Sequence, residues 1–235
     1  PQRWGIRSLV YGTLVVAVGA SLFAVPLGLG SAIYLSEYAS RRTRSYVKPL
    51  LEILAGIPTI VYGYFALVVI TPVLQTFLPG LGVFNALSAS IAVGIMITPM
   101  ISSLSEDALL AVPASLREGA YALGSTKLET TFHISLPYAL SGIISSVVLA
   151  VSRALGETMI VTIAAGATPS LSLNPLQSVQ TLTAYIVQVS MGDTPFGSVE
   201  YKSIFAVGIT LFFFTLVMNL LALGIKERFK VEAKL

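Results

Sequence analysis

Long apolar runs separated by short charged clusters set the rhythm of this chain. Charge-free intervals fall at about Leu9 to Leu35, Leu50 to Phe77, Ala86 to Leu104, Leu136 to Ala165 and Ile204 to Ile225. A helix needs roughly 20 apolar residues to cross the hydrocarbon layer of a membrane, and a helix satisfies its own backbone there. The pattern therefore predicts an all-α integral membrane protein with five visible transmembrane helices, forming one transmembrane domain over residues 1–235. Pro26, Pro58 and Pro72 lie inside or near the ends of these spans, where proline kinks or terminates a helix. Two stretches break the rhythm: a polar elbow at about 105–137 and a charge-poor segment at about 168–202, which holds a helical-looking run from Gln177 to Ser190.

Composition agrees with the pattern. The chain is 55% hydrophobic and 11% charged, against roughly 25% charged in a soluble domain. It has no Cys and a single His, which excludes thiol chemistry and argues against a His-rich metal site. Orientation follows from the basic residues, because short cytoplasmic loops retain an excess of Lys and Arg. Arg41, Arg42, Arg44, Lys48, Arg117, Lys127, Lys226, Arg228, Lys230 and Lys234 fall on one side, which makes ten, while Arg3, Arg7 and Lys202 fall on the other. That tally places the elbow and the C-terminus in the cytoplasm and the visible N-terminus outside. The net charge of +3 is then a consequence of topology and calls for no nucleic acid. The chain opens at Pro1 with neither an initiator Met nor a cleavable signal pattern, so a further, sixth span is expected to precede it.

The elbow predicts a helix, a sharp turn and a second helix. Ser115 and Glu118 have the spacing of a capping box, and Thr126 with Glu129 repeats it. The first short helix should run to Ala122 or Leu123 and stop at Gly124, which can adopt the left-handed conformation. Leu136 and Pro137 then return the chain to the membrane, since proline is tolerated in a first helical turn. His133 sits at that re-entry point as an interfacial residue, and Glu52 has Lys48 four positions earlier as a candidate partner.

A second singular feature is Arg153-Ala154-Leu155-Gly156-Glu157-Thr158, inside the fourth span. A charge at mid-membrane costs on the order of 3 kcal/mol on insertion scales, and intramembrane ionisable residues are functional candidates by default. Glu157, four residues along a helix, could pair with Arg153. The two would then be either a self-satisfied buried pair or part of a polar pathway, in which the planar guanidinium fork suits an oxyanion such as phosphate. Thr158 could serve the same path or bond its own helix backbone. Gly119 and Gly124 share the glycine spacing of a phosphate-binding loop, but Ser125-Thr126-Lys127 is not the order that motif requires, so this chain does not bind ATP through it.

Glu118-Gly119-Ala120, three residues, Gly124, nine residues, then Ile134-Ser135-Leu136-Pro137 resembles the coupling motif of ABC-importer permeases, with Gly119 in place of the usual first Ala. Arg153 to Thr158 resembles the signature of the two permease subunits of the bacterial phosphate-specific ABC importer, and with Met159 it looks more like the PstC type than the PstA type. Leu54-Ala55-Gly56-Ile57-Pro58 with Val61-Tyr62-Gly63 resembles their shared second segment. The resemblance implies a type I ABC-importer permease fold in the cytoplasmic (inner) membrane, normally with six spans. It implies a transporter subunit rather than an enzyme, with no cofactor of its own, ATP and magnesium being bound by a partner. The implied partners are a second homologous permease, a dimer of cytoplasmic ATPase subunits that grips the elbow, an external phosphate-binding protein and membrane lipid. The cargo would be inorganic phosphate, with molybdate or sulfate as the alternative. Arg153 would be the anion contact, and the segment at 168–202 would either cap the path or be a re-entrant packing helix. An ATP-independent channel or secondary transporter, which would not explain the capped elbow, and a regulatory membrane subunit, which transport lost in an elbow mutant would exclude, are the rival functions.

Overall fold

The computed structural model describes residues 5–172 and 174–228; Arg3, Lys230 and Lys234 of the charge tally lie outside them. Among the described residues all regular structure is helical. Five helices are long and apolar enough to cross a membrane: Gly5–Tyr38, Thr59–Phe77, Ala86–Leu110, Lys127–Leu155 and Val199–Leu221. The five expected spans are present with shifted limits, and the second and fourth depart most from the apolar runs.

The first span is α1 (Gly5–Ile33), which continues into a π-helical turn, Tyr34–Tyr38. The second begins later than its charge-free interval. Residues 50–56 belong instead to α2 (Arg41–Gly56), an amphipathic helix with no buried residue. Pro58, with φ −58° and ψ 137°, separates it from α3 (Thr59–Phe65); the residue before a proline is pushed out of the helical region, so the boundary falls there. A π-turn (Ala66–Ile70) and α4 (Thr71–Phe77), with Pro72 in its first turn, complete this span. The third span is α5 (Ala86–Leu110). The elbow follows as α6 (Ala114–Ala122) and α7 (Lys127–Thr130), and a π-turn (Thr131–Ser135) leads into α8 (Leu136–Leu155).

The fourth span does not run unbroken to Ala165 as expected. Helix α8 stops at Leu155, and a separate short helix, α9 (Met159–Ala164), follows the non-helical residues Gly156 to Thr158. Helix α10 (Leu182–Met191) starts five residues later than the run from Gln177, capped by the Thr181 hydroxyl, which accepts from Ala184 N. Helix α11 (Val199–Arg228) ends the described chain.

The chain divides into two compact units. The first comprises Pro1–Phe23, Gly56–Ile97 and Val151–Val217. In it α3 and α9 pack backbone to backbone: a Cβ on Gly63 would lie 3.1 Å from Ile160 Cα. Buried Asn85 organises the start of α5, its Oδ1 accepting from Ser88 N at 2.7 Å and its Nδ2 donating to Gly82 O at 3.0 Å. The charge-poor segment at 168–202 is stitched to this unit by backbone bonds, Val179 N to Ala165 O at 3.0 Å and Ala86 N to Gln177 O at 3.1 Å. Thr13 Oγ1 accepts from Leu182 N at 3.0 Å, and Leu182 packs with Leu9 and Val207. The first half of α10 is thus core, whereas Met191, Phe196 and Val199 beyond it are almost fully exposed.

The second unit comprises Ala24–Ala55, Thr98–Ala150 and Met218–Leu235. Its core gathers Ala32, Leu109, Val112, Ala139 and Ile143, with a buried hydroxyl pair, Ser105 and Ser146, 2.7 Å apart. Small side chains let helices approach, as where a Cβ on Gly142 would meet Ala108 Cβ. Helix α2 is tied to α5 by charge: Arg44 Nε lies 2.6 Å from Glu106 Oε1 and Lys48 Nζ 3.3 Å from Asp107 Oδ1. The expected Lys48–Glu52 pairing is therefore not made; Lys48 reaches across to α5 and Glu52 is exposed.

Candidate functional site

The elbow is built by local rules. Helix α6 ends in a reciprocal pair of backbone bonds, Ser125 N to Ala120 O at 3.1 Å and Gly124 N to Tyr121 O at 3.0 Å. This is the Schellman arrangement, and it requires the residue after the C-cap to be left-handed. Gly124 supplies that conformation with φ +86°. The capping box of α7 is complete: Thr126 Oγ1 accepts from Glu129 N, and Glu129 Oε2 accepts from Thr126 N at 2.8 Å. The box expected at Ser115 and Glu118 is absent, because α6 begins at Ala114 with Pro113 at its N-cap and no side chain caps it.

Glu118 and Gly119 are exposed and Ala120 is buried. A Cβ on Gly119 would meet nothing within 4 Å, so either Gly or Ala fits the position. Ile134 and Leu136 are half-buried and Pro137 is exposed. His133 is exposed, with Nδ1 3.1 Å from Glu129 O. Around Glu118 the elbow bares apolar side chains, Leu116, Tyr121, Leu128 and Phe132, with Leu123 at its tip 89% exposed. The sequence reading missed this patch. Its signal is an apolar residue beside the turn glycine of a polar elbow.

The second candidate lies where the fourth span breaks. Arg153 is in the last turn of α8 and exposed. Glu157 is buried, but it does not pair with Arg153: its Oε1 accepts from Met159 N at 3.1 Å and Ile160 N at 3.3 Å. The i, i+4 register presumed an unbroken helix. With the helix ended at Leu155, the carboxylate instead satisfies orphan amides at the start of α9. The Glu157 carbonyl accepts from Thr183 Oγ1 at 2.6 Å, which fastens the break to α10. Thr158 donates from Oγ1 to Gly156 O at 3.2 Å, and its carbonyl accepts from Thr162 Oγ1 at 2.6 Å. Among the described residues no ion pair involves Arg153. An exposed guanidinium fork next to a carboxylate that is already committed is chemically suited to receive an anion from outside the chain.

Arg117 is a further residue the sequence reading did not single out. It entered only as a cytoplasmic charge, yet its Nη2 donates to Glu37 Oε1 at 3.0 Å. No local pattern could have signalled this pairing, since the partners are 80 positions apart.

Comparison with known proteins places these features in context. Residues 24–231 match the family described as binding-protein-dependent transport system inner membrane component. The chain is 34% identical over 229 residues to the probable ABC transporter permease protein YqgH of Bacillus subtilis, covering 97% of this chain and 74% of that protein. It is 36% identical over 242 residues to the phosphate transport system permease protein PstC of Xylella fastidiosa, covering 94% of this chain and 73% of that one. Among solved structures it is similar to a chain of the inward-facing MetNI methionine ABC transporter, with a TM-score of 0.74 at 17% identity, covering 97% of this chain and 98% of that one. A chain of a bacterial alginate ABC transporter gives a TM-score of 0.72 at 17% identity, covering 98% and 81%. The structural likeness is one of fold, and it bears out the expected ABC-importer permease architecture.

Proposed function

The chain belongs to the family of binding-protein-dependent transport system inner membrane components, and we propose that it is the permease subunit through which an ATP-driven importer takes up inorganic phosphate. It is a multi-pass protein of the inner membrane and not an enzyme; ATP hydrolysis resides in a separate subunit. Permeases of this family work with an ATPase and a substrate-binding protein. For this chain the partners would be a second homologous permease, two ATPase subunits carrying ATP and magnesium, and an external phosphate-binding protein. Several curated relatives at 32–36% identity are phosphate permeases of the PstC type, which supports both the cargo and the subunit type.

The observation that carries the reading is Arg153, exposed in the last turn of the fourth membrane span, where α8 gives way to α9, with no carboxylate paired to it among the described residues. A phosphate oxyanion handed over from outside would meet its fork, while Glu157 and Thr158 hold the break in shape. The anion would leave again because Arg153 alone, without a closed cage of donors, holds it weakly. On the cytoplasmic side, Glu118, Gly119, Ala120 and Gly124 would present the elbow to the ATPase, and Ile134, Leu136 and Pro137 would carry its movement into α8. The exposed end of the external segment, from Met191 to Val199, would face the binding protein.

The test is ATP turnover and uptake by the assembled complex in vesicles, with the binding protein supplied. Phosphate is expected to stimulate ATP hydrolysis and to accumulate inside, while molybdate and sulfate do neither. Stimulation by molybdate or sulfate in its place would reassign the cargo. Phosphate entry without ATP would remove the importer reading altogether.

A further inference from the structure

The side chain of Arg117 is only 19% exposed although it springs from the exposed elbow helix α6. Its Nη2 donates to Leu109 O at 2.7 Å and to Glu37 Oε1 at 3.0 Å, its Nη1 to Val112 O at 3.2 Å and its Nε to Ser135 Oγ at 3.4 Å. Those acceptors belong to different pieces of the chain. Leu109 lies in the last turn of α5 and Val112 in the turn just beyond it, where carbonyls run out of helical partners, although Leu109 O also accepts from Val112 N at 3.2 Å. Glu37, itself 5% exposed, lies in the π-turn that ends the first span. Ser135, fully buried, closes the π-turn that admits the chain to α8. A guanidinium has a planar fork of five donors, so one side chain can hold several acceptors in a fixed geometry that a lysine cannot copy.

We propose that Arg117 is a positioning residue that makes the elbow and the ends of the three surrounding spans a single rigid body. A displacement of α6 is then delivered to the first, third and fourth spans together instead of being absorbed by bending at the elbow. This rests on the coupling role proposed above, with Arg117 acting behind the docking surface and touching neither the ATPase nor the cargo. A residue that only stabilised the fold would lower transport and ATP hydrolysis in step. One that transmits force would change their ratio.

The chain contains no Cys, so paired spin labels can be placed on it selectively in a complex whose other subunits are cysteine-free. Labels at Ser115→Cys, on α6 away from the apolar tip, and Tyr34→Cys, at the end of the first span, both take exposed positions. In the assembled complex the distance distribution between them is expected to be narrow with Arg117 present and distinctly broader in Arg117→Met. Recovery of the ATPase and its hydrolysis rate should be retained in Arg117→Met, while phosphate moved per ATP falls about tenfold, within the usual range of site-to-site coupling. Arg117→Lys should fall between the two, since it keeps the charge and loses the fork.

An unchanged distribution with an unchanged ratio in Arg117→Met overturns the proposal, as does an equal loss of hydrolysis and transport. Should Arg117→Met fail to assemble, Glu37→Gln, which removes only the charge of one partner, must still broaden the distribution, and parent-like width and ratio there overturn the proposal. If the unmodified complex moves no phosphate, the transport reading fails. The label distances still decide whether Arg117 rigidifies the elbow.

Discussion

Arg117 and Arg153 are the same residue type, each with a glutamate close by in sequence, and the structure treats them in opposite ways. Arg117 ignores the adjacent Glu118 and is satisfied by Glu37, a hydroxyl and two helix-end carbonyls. Arg153 has a glutamate four positions away, but that carboxylate is taken up by the amides of α9. An arginine four of whose five donors are filled by its own chain is a strut, because it has little left to offer a ligand. An exposed one whose neighbouring carboxylate is spoken for can still accept an anion. The two cases show that function at such a residue is decided by what the neighbouring acceptors are already doing, more than by how near they stand in sequence.

The sharpest way to break this comparison is Arg153→Ala. Phosphate uptake by the reconstituted complex should fall about 100-fold, the equivalent of roughly 3 kcal/mol for a lost charged contact, while subunit recovery and unfolding of the chain stay unchanged. Normal uptake in that variant would place Arg153 off the path. Arg117→Met should show the reverse emphasis, with stability in detergent reduced on the order of 3 kcal/mol, because Glu37 is left buried without its counter-charge. A denaturant titration that matches the parent would mean the strut carries no load.

Glu157 sharpens the contrast at smaller amplitude. Glu157→Ala should cost about 1 kcal/mol, the worth of a lost helix cap, whereas Glu157→Gln keeps an acceptor oxygen and should transport nearly as the parent does. If the Gln variant loses uptake as severely as Arg153→Ala, the two residues work as a charged pair and the distinction drawn here is wrong. The smallest effect is expected for Ser115→Ala, within about 0.5 kcal/mol as for an ordinary surface change, since Ser115 is exposed and makes no cap. A larger loss on thermal unfolding would restore the capping role that the structure denies it.

What could be read from the sequence was whatever depends on local or solvent-imposed rules. The spans were legible because hydrocarbon tolerates little else, and the tight turn at Gly124 and the cap at Thr126 because each is closed within a few residues. The start of the second span was misplaced because residues 50–56 are apolar enough for a membrane, yet they form the exposed end of an amphipathic helix terminated before Pro58. The break after Leu155 was invisible because Gly156 alone does not dictate a helix end, and the deciding bonds come from Glu157 and from Thr183, 26 positions on. Arg117 was undervalued for the same reason: its chief partner is remote in sequence.

The turn at Gly124 leaves Leu123 almost wholly bare at the tip of the elbow. On the proposed function that side chain is covered only while an ATPase is seated, so a newly made permease that has found no ATPase carries a sticky spot into the cytosol. Unassembled copies should therefore be the ones that aggregate or are degraded when this subunit is produced alone. Leu123→Ser would lengthen their lifetime in a pulse-chase measurement, even as it weakens the grip that makes assembled copies useful.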